Sequence, residues 1–199
     1  MSFERKLGKS ALDFKTIVYP KIKNWFGGGD LIPIEGTTEK TLAELLDQNS
    51  GIDAWYIETN KGIRGVASRI QWKDKAKNPK NFPYNTFSVR YEKYNDVRTE
   101  FEKLSHAIKE EWIYPYWFVQ AYLTHHQGEL ISAARCETKT LIKLLKTNPN
   151  KYRLIDNYKD AYFKAVPWND FENHDLYINI KMEQQTIPKK KPLEAFFNA

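Results

Sequence analysis

The stretch GIDAWYIETNKGIRGVASRIQW, residues 51–72, decides the fold that the sequence predicts. Its two arms show the two-residue alternation of a β-strand, and Thr59-Asn60-Lys61-Gly62 between them is typical of a tight turn. Both faces of the arms carry apolar residues, which indicates that other elements cover the strands on each side. The stretch therefore predicts an antiparallel hairpin within the core of a folded domain.

Asp53 is an acidic residue near the start of the first arm. Burying a carboxylate without a partner costs several kcal/mol, so this side chain needs a hydrogen-bond donor, a proton or a cation. One explanation is a hydrogen bond to a neighbouring turn or to Arg69. The other is that Asp53 is a ligand of a divalent metal ion, and the sequence alone leaves both open.

Composition bounds the classes of function. A chain of 199 residues is long enough for one main core, and its net charge of +6 favours polyanionic partners such as nucleic acid. Aromatic residues make up 15% of the chain, and such rings serve as core or as platforms that stack on bases. Cys136 is the single cysteine, which excludes a disulfide framework and a thiolate metal cluster. We expect it in the core.

The sequence also predicts where the protein works. No signal-peptide pattern is visible at the N-terminus, and no apolar run approaches the roughly 18 residues that span a bilayer. We therefore expect a cytoplasmic protein with no membrane association.

Apolar periodicity and turn residues predict the remaining elements. Residues 1–9 are polar and are expected to be frayed. The predicted helices are one after Ser10 that ends at Pro20, one from Thr37 or Thr38 to Asn49, one from Asn95-Asp96 to Trp112, and one capped by Thr138 that ends at Asn148-Pro149. The further predicted strands are Leu31–Glu35, Thr86–Glu92, Tyr116–Thr124, Glu129–Glu137, Tyr162–Trp168 and Leu176–Ile180.

Three charged side chains on the predicted helices are candidates for chemistry. Glu44 lies beside the apolar stripe of its helix, either facing the same site as Asp53 or standing at the helix rim. Glu100 and Lys103 lie three residues apart on one edge of the next helix and are close enough to act together. An ordinary surface ion pair is the alternative for these two residues.

The segment Lys73–Asn85 has four lysines, two prolines and no apolar period, so it is predicted to be a loop. It is either a solvated surface loop or a basic flap over a nucleic-acid backbone, because mobile lysines neutralise phosphates without exact geometry. The predicted nucleic-acid-binding residues are Arg69, Lys73, Lys75, Lys77, Lys80 and Arg90.

The C-terminal residues 183–199 are predicted to form a flexible basic tail that carries Leu193, Phe196 and Phe197. These apolar residues have no core of their own, which indicates a docking peptide. The spacing from Lys190 to Phe197 resembles the sliding-clamp-binding peptide of replication and repair proteins, with Lys190 in the place of the usual Gln. The resemblance implies a sliding clamp or another replication protein as a partner.

The order of elements from residue 37 to residue 146 resembles the PD-(D/E)XK, or restriction-endonuclease-like, nuclease superfamily. Glu44 matches the acid of its leading helix, and Asp53 matches the first acid of its core strands. The place of the (D/E)-x-K triplet holds Arg69-Ile70-Gln71, so the regular triplet is missing. The resemblance implies an α/β (α+β) domain, residues 1–182, with a central mixed β-sheet flanked by helices and with extra C-terminal strands in residues 150–182.

The same resemblance implies a DNA nuclease that depends on Mg²⁺ or Mn²⁺ and works in replication, recombination or repair, in a virus, a mobile element or a cell. Some members of the superfamily move the acid and the lysine onto the following helix. The implied catalytic residues are Asp53, Gln71, Glu100 and Lys103, and the implied metal ligands are Asp53, Glu100 and Glu44. Two alternatives stay open: a non-catalytic nucleic-acid-binding module of the same fold, and a protein-interaction or inhibitor module. A homodimer is also left open.

Overall fold

The structure is a computed structural model, and it describes residues 3–27, 29–34, 51–58, 62–93, 98–156 and 161–179. The strands are β1 Asp30–Pro33, β2 Ala54–Glu58, β3 Gly62–Trp72, β4 Thr86–Lys93, β5 Pro115–Leu123, β6 Leu130–Glu137, β7 Leu154–Asp156, β8 Ala161–Pro167 and β9 Asp175–Ile178. The helices are α1 Phe3–Asp13, α2 Tyr19–Ile22, α3 Glu100–Lys109 and α4 Thr138–Thr147, with a π-helical turn at Phe14–Val18 and short 3₁₀ turns at Lys23–Phe26, Lys73–Lys75, Pro79–Asn81 and Trp168–Asp170.

The main sheet has six strands in the order β1-β2-β3-β5-β6-β9. Strands β1, β2 and β3 form an antiparallel meander in which Ala54 pairs with Val66, which confirms the predicted hairpin. Strand β5 runs parallel to β3, whereas β6 and β9 are antiparallel to their neighbours. The protein is therefore a mixed α/β fold whose large mixed sheet is flanked by helices, as predicted.

A second sheet of three antiparallel strands, in the order β4-β8-β7, packs beside the first. The strand predicted at Thr86–Glu92 exists as β4, but it pairs with β8 instead of extending the hairpin. The two strands predicted after residue 150 also exist, and they separate: β8 joins the second sheet, and β9 extends the main sheet on β6.

Both faces of the main sheet are covered, as the apolar residues on both sides of the hairpin predict. On one face, the segment from Phe14 to Phe26 packs on Tyr56, Val66 and their neighbours. On the other face, α3, α4 and the second sheet bury Phe118 and its neighbours. Two apolar layers therefore hold the hairpin from opposite sides.

Several predicted helix ends are wrong. Helix α1 begins at Phe3, so residues that were expected to be frayed are helical and Ser10 lies inside the helix. Helix α3 begins at Glu100, because Thr99 and Glu102 form a capping box in which each side chain accepts a hydrogen bond from the other residue's backbone amide. It ends at Lys109, which leaves Trp112 49% exposed instead of in the core.

Two predicted segments lie outside the described residues: the helix that carries Glu44 and the tail that carries Leu193, Phe196 and Phe197. Within the described part of the chain, no helix combines the length and apolar character that crossing a bilayer requires.

Candidate nucleic-acid interface

Asp53 lies where β2 and β3 part. Its backbone amide makes the last regular contact of the pair, to the carbonyl of Val66 at 3.0 Å. The next contact with β3 comes from the Asp53 side chain. Its Oδ2 accepts hydrogen bonds from the amide of Ser68 at 2.5 Å and from the Ser68 hydroxyl at 3.2 Å. The carboxylate therefore caps the edge of β3 where a backbone carbonyl would otherwise continue the ladder.

Glu100 receives two donors from different sheets. The Arg69 guanidinium, on β3, forms an ion pair with Glu100 Oε2, and the backbone amide of Arg90, on β4, donates to the same oxygen at 3.0 Å. The Arg69 and Glu100 side chains are 22% and 21% exposed. Arg69 therefore pairs with Glu100, not with Asp53 as one of the sequence-based explanations had it.

Asp53 and Glu100 contact consecutive residues of β3, Ser68 and Arg69. Mg²⁺ needs several oxygen ligands, and it binds most readily where carboxylates already converge. In the part of the chain that the structure describes, no three His, Cys, Asp or Glu side chains are grouped so that they could hold a metal ion. Asp53 and Glu100 therefore do not belong to a cluster of three such ligands within the described residues.

Strand β4 is an edge of the second sheet, and side chains cap its outward amides at every second residue. The amide of Thr86 donates to the Tyr122 hydroxyl at 3.2 Å, and that of Ser88 donates to Gln120 Oε1 at 3.2 Å. The amide of Arg90 is the third of these donors, and it donates to Glu100 Oε2. The first two acceptors, Tyr122 and Gln120, are buried and neutral, whereas the third, Glu100, is partly exposed and charged.

Gln71 joins β3 to this edge. Its Nε2 donates to the Ser88 hydroxyl at 3.1 Å, and that hydroxyl donates to Gln120 Oε1 at 2.9 Å. Gln120, on β5, is fully buried. Two hydrogen-bonded groups therefore lie between the sheets, one of Arg69, Glu100 and Arg90 and the other of Gln71, Ser88 and Gln120, and together they are named the polar seam.

Phe163 on β8 lies beside the exposed end of the polar seam. It pairs with Arg90 in the second sheet, and the guanidinium carbons of Arg69 and Arg90 lie 5.0 and 5.6 Å from its ring centroid. Both distances are within the range of a cation–π contact. Arg69 Nε is buried and has no hydrogen-bond partner among the described residues.

The lysine-rich loop, residues 73–85, is anchored to the rest of the domain at two points. Phe82 is buried and contacts the Tyr122 ring edge-on, with centroids 5.1 Å apart. Lys77 Nζ donates to the carbonyl of Asp156 on β7 at 2.6 Å. The Lys75 and Lys80 side chains are exposed, and Lys73 is half-buried. The loop therefore presents its lysines from a fixed base beside the second sheet.

Tyr122 and Cys136 are two ionisable groups of the core with structural positions. Burial raises the pKa of Tyr122 to about 12, and its hydroxyl donates to the carbonyl of Thr86 at 2.9 Å. Burial also raises the pKa of the Cys136 thiol well above its usual range, which agrees with a core position and not with a nucleophile.

His126 belongs to a structural contact with the N-terminal helix α1. Asp13 is fully buried and accepts hydrogen bonds from Trp72 Nε1 at 2.7 Å and from the amide of Gln127 at 3.0 Å. His126 Nδ1 lies 3.0 Å from the same carboxylate. This network fastens α1 to the turn between β5 and β6.

Sequence reasoning missed the part that Ser88 and Phe163 take in this site. The polar face of β4, with Ser88 and Arg90 opposite an apolar face, was a visible signal of a buried polar contact. Phe163 carried no such signal, because its place beside Arg69 depends on the pairing of β8 with β4.

None of the comparisons with known proteins finds a relative: no family model, no curated protein and no solved structure matches the chain. The residues of the polar seam and of the lysine-rich loop therefore carry the functional proposal.

Proposed function

We propose that the protein binds nucleic acid, and that the phosphate backbone lies along the lysine-rich loop and the exposed end of the polar seam. The observation that carries this proposal is the contact of Lys77 with the carbonyl of Asp156. It seats the loop against β7, in the same small sheet that carries Arg90 and Phe163.

The second sheet sets the spacing of these basic groups. Arg90 pairs with Phe163, which pairs in turn with Ile155, so the three residues form one row across β4, β8 and β7. Neighbouring strands lie about 4.8 Å apart, so Arg90 and the strand that Lys77 contacts are separated by roughly 10 Å. This spacing supports a surface on which the arginines and the loop lysines are neighbours.

The chemistry of this surface suits a phosphate backbone. Lysines and arginines bind phosphates through charge without requiring a particular base sequence, and the chain carries a net charge of +6. The Tyr84 ring is 36% exposed at the end of the loop and offers a platform on which a base can stack. We therefore expect binding with little sequence preference and with a strong dependence on salt.

A binding experiment tests this proposal. Fluorescence anisotropy with labelled single-stranded and duplex oligonucleotides would compare the wild type with the Lys75→Ala/Lys80→Ala double variant. Loss of two phosphate contacts is expected to weaken binding by about tenfold. Lys139→Ala/Lys143→Ala removes the same charge from the exposed face of α4 and serves as the matched control. Equal weakening by both double variants would contradict a specific surface at the loop.

A metal-dependent DNA nuclease is the second candidate, and one observation favours it. Asp53, just before β2, and Glu100, on the later helix, both contact β3, Asp53 through Ser68 and Glu100 through the Arg69 guanidinium, which supports a shared role for the two acids implied by the nuclease resemblance. The meander of β1, β2 and β3, followed by α3 and a parallel β5, supports a restriction-endonuclease-like arrangement.

Cleavage assays separate this candidate from binding alone. Purified protein would be incubated with labelled single-stranded, duplex and junction DNA, with Mg²⁺ or Mn²⁺ and with a chelator. A nuclease of this kind requires the metal and is inactivated by Asp53→Ala and by Glu100→Ala. Binding without metal-dependent cleavage would leave the first proposal standing and end the second.

The predicted docking peptide stays a separate proposal. A labelled peptide of residues 183–199 would be titrated with the sliding clamp of the host, with a variant in which Leu193, Phe196 and Phe197 are alanine as the control. Saturable binding that the variant loses is expected, and absence of binding would refute the prediction.

A further inference from the structure

We propose that Glu100 is an internal substitute for a phosphate group, and that a nucleic-acid phosphate replaces its carboxylate between Arg69 and Arg90 when the protein binds its ligand. This inference rests on the proposed nucleic-acid binding and deepens it. It assigns one phosphate position to named donors and gives Glu100 the role of a competing anion in the free protein.

Hydrogen-bond donors from both sheets converge on the Glu100 carboxylate. The Arg69 guanidinium comes from the main sheet and the Arg90 amide from the second sheet, and both donate to Glu100 Oε2. Charged donors and backbone amides that point at one position are the usual elements of a phosphate site. The pairing of β4 with β8 is irregular between Arg90 and Glu92, and such bulges are common beside binding sites.

The Arg69 guanidinium has a second donor, Nε, beside the one that Glu100 uses. Arg69 donates to Glu100 through Nη2, while its Nε is buried and has no hydrogen-bond partner among the described residues. Nε and Nη2 form the edge of a guanidinium that grips two oxygens of one anion side by side. A phosphate oxygen beside the one on Nη2 would give Nε an acceptor, which the present contact of Glu100 does not do.

The Arg90 amide differs from the other outward amides of β4 in the exposure of its acceptor. The other two outward amides of β4, at Thr86 and Ser88, end on neutral acceptors in the interior. The amide of Arg90 donates to Glu100, whose charged side chain is one-fifth exposed. Of these three amides, that of Arg90 is therefore the one that a ligand can reach. The Phe163 ring lies beside both guanidinium groups, so two positive charges stand at this position.

The test is the affinity of the wild type and of Glu100→Gln for a labelled oligo(dT), measured by anisotropy at fixed salt. The amide oxygen of Gln can still accept from the Arg90 backbone, but the competing charge is gone. We expect Glu100→Gln to bind at least about threefold more tightly. Adding Arg69→Lys, which keeps the charge and removes the two-donor edge, should abolish the gain. Unchanged or weaker binding by Glu100→Gln would overturn the proposal.

A second measurement needs no variant and guards against a fold defect. The Arg69 Nε–H resonance of ¹⁵N-labelled wild type would be followed by NMR while inorganic phosphate is added at constant ionic strength, with chloride as the control. We expect a saturable shift with phosphate alone, and no shift would overturn the proposal.

The outcomes also separate this inference from the proposed function. If the Lys75→Ala/Lys80→Ala variant loses oligonucleotide binding while the Arg69 resonance ignores phosphate, only the role of Glu100 fails. If phosphate shifts the resonance but the wild type binds no oligonucleotide, the anion site stands and the proposed function fails.

Discussion

Asp53 illustrates, at the scale of one residue, how a carboxylate can replace a backbone carbonyl. The backbone pairing of β2 with β3 ends at the hydrogen bond from the Asp53 amide to the Val66 carbonyl. Without the Asp53 side chain, the amide of Ser68 on β3 would lack an acceptor. The side chain of Asp53 supplies that acceptor. The need for a partner follows from the sequence alone, whereas the identity of the partner depends on the register of the hairpin.

Replacing Asp53 tests this capping role. Asp53→Ala is expected to lower the free energy of unfolding by about 1–3 kcal/mol, because the amide of Ser68 loses its acceptor. Asp53→Asn keeps an acceptor oxygen in the same place and should cost clearly less. Urea unfolding of both variants measures the difference, and equal losses would show that charge matters here and not the hydrogen bond.

Tyr122 gives a prediction on pH. Burial raises its pKa in the folded protein to about 12, from a usual value of 10.0. As the pH rises past 10, Tyr122 ionises in the unfolded chain but stays protonated in the folded protein. The unfolded chain is thereby favoured, so the free energy of unfolding falls between pH 10 and pH 12. The two-unit difference corresponds to a loss of roughly 3 kcal/mol.

The comparison for this prediction is Tyr122→Phe, which has no titrating group at this position. The variant is expected to start less stable, because its contacts with Thr86 are gone. It should then lose less unfolding free energy than the wild type between about pH 9 and about pH 11.5. Parallel losses in denaturant titrations at the two pH values would refute the assignment.

At the scale of elements, the lysine-rich loop depends on its aromatic anchor. Phe82 is buried, with its ring edge-on to Tyr122 and to Tyr84 at centroid distances of 5.1 and 5.4 Å. The loop therefore holds its place through apolar contacts, and Lys77 adds one hydrogen bond to β7. Exposed lysines on such a base lose less freedom when a ligand binds.

Removing the anchor should affect both stability and binding. Phe82→Ala is expected to cost about 3–5 kcal/mol of unfolding free energy, as large cavities in cores do. At a temperature where the variant is still folded, its affinity for oligonucleotides should fall, although no positive charge has been removed. Phe82→Leu keeps most of the volume and is the control, and unchanged affinity in Phe82→Ala would mean that the anchor does not position the lysines.

Local patterns predicted the elements better than their partners. The hairpin, β5, β6 and α4 follow from alternation, periodicity and turn residues close in sequence. The second sheet does not, because β4 pairs with β8, some 70 residues later in the chain, and nothing local specifies that pairing. The start of α3 was misplaced since Thr99 and Glu102 were not recognised as a capping box.

In the candidate site, too, the residues could be predicted from the sequence but their contacts could not. Arg69, Arg90 and Glu100 are candidates from residue type and position, and Gln71 is one through the nuclease resemblance. The structure joins the first three around the Glu100 carboxylate and places Gln71 in a separate group with Ser88 and Gln120. Their roles within the site could not be predicted, because Glu100 meets Arg69 only through the packing of α3 against both sheets.

At the scale of the whole molecule, charge and architecture support the same proposal. The chain carries 31 basic and 25 acidic residues, and the lysine-rich loop and the arginines of the polar seam are brought together by two sheets that share no strand. Binding through phosphates releases counterions, so the affinity must fall as salt rises. A protein-interaction module with an apolar contact surface would show little of this dependence.

The most direct test of nucleic-acid binding at this surface is the salt dependence of duplex affinity for the wild type and for Lys75→Ala/Lys80→Ala. A plot of log affinity against log salt should be linear and steep for the wild type, with a slope of about −0.9 for each phosphate contacted. The double variant should be shallower by about two, while Lys139→Ala/Lys143→Ala should keep the wild-type slope. A flat wild-type plot, or the same slope in all three proteins, would contradict the proposed surface.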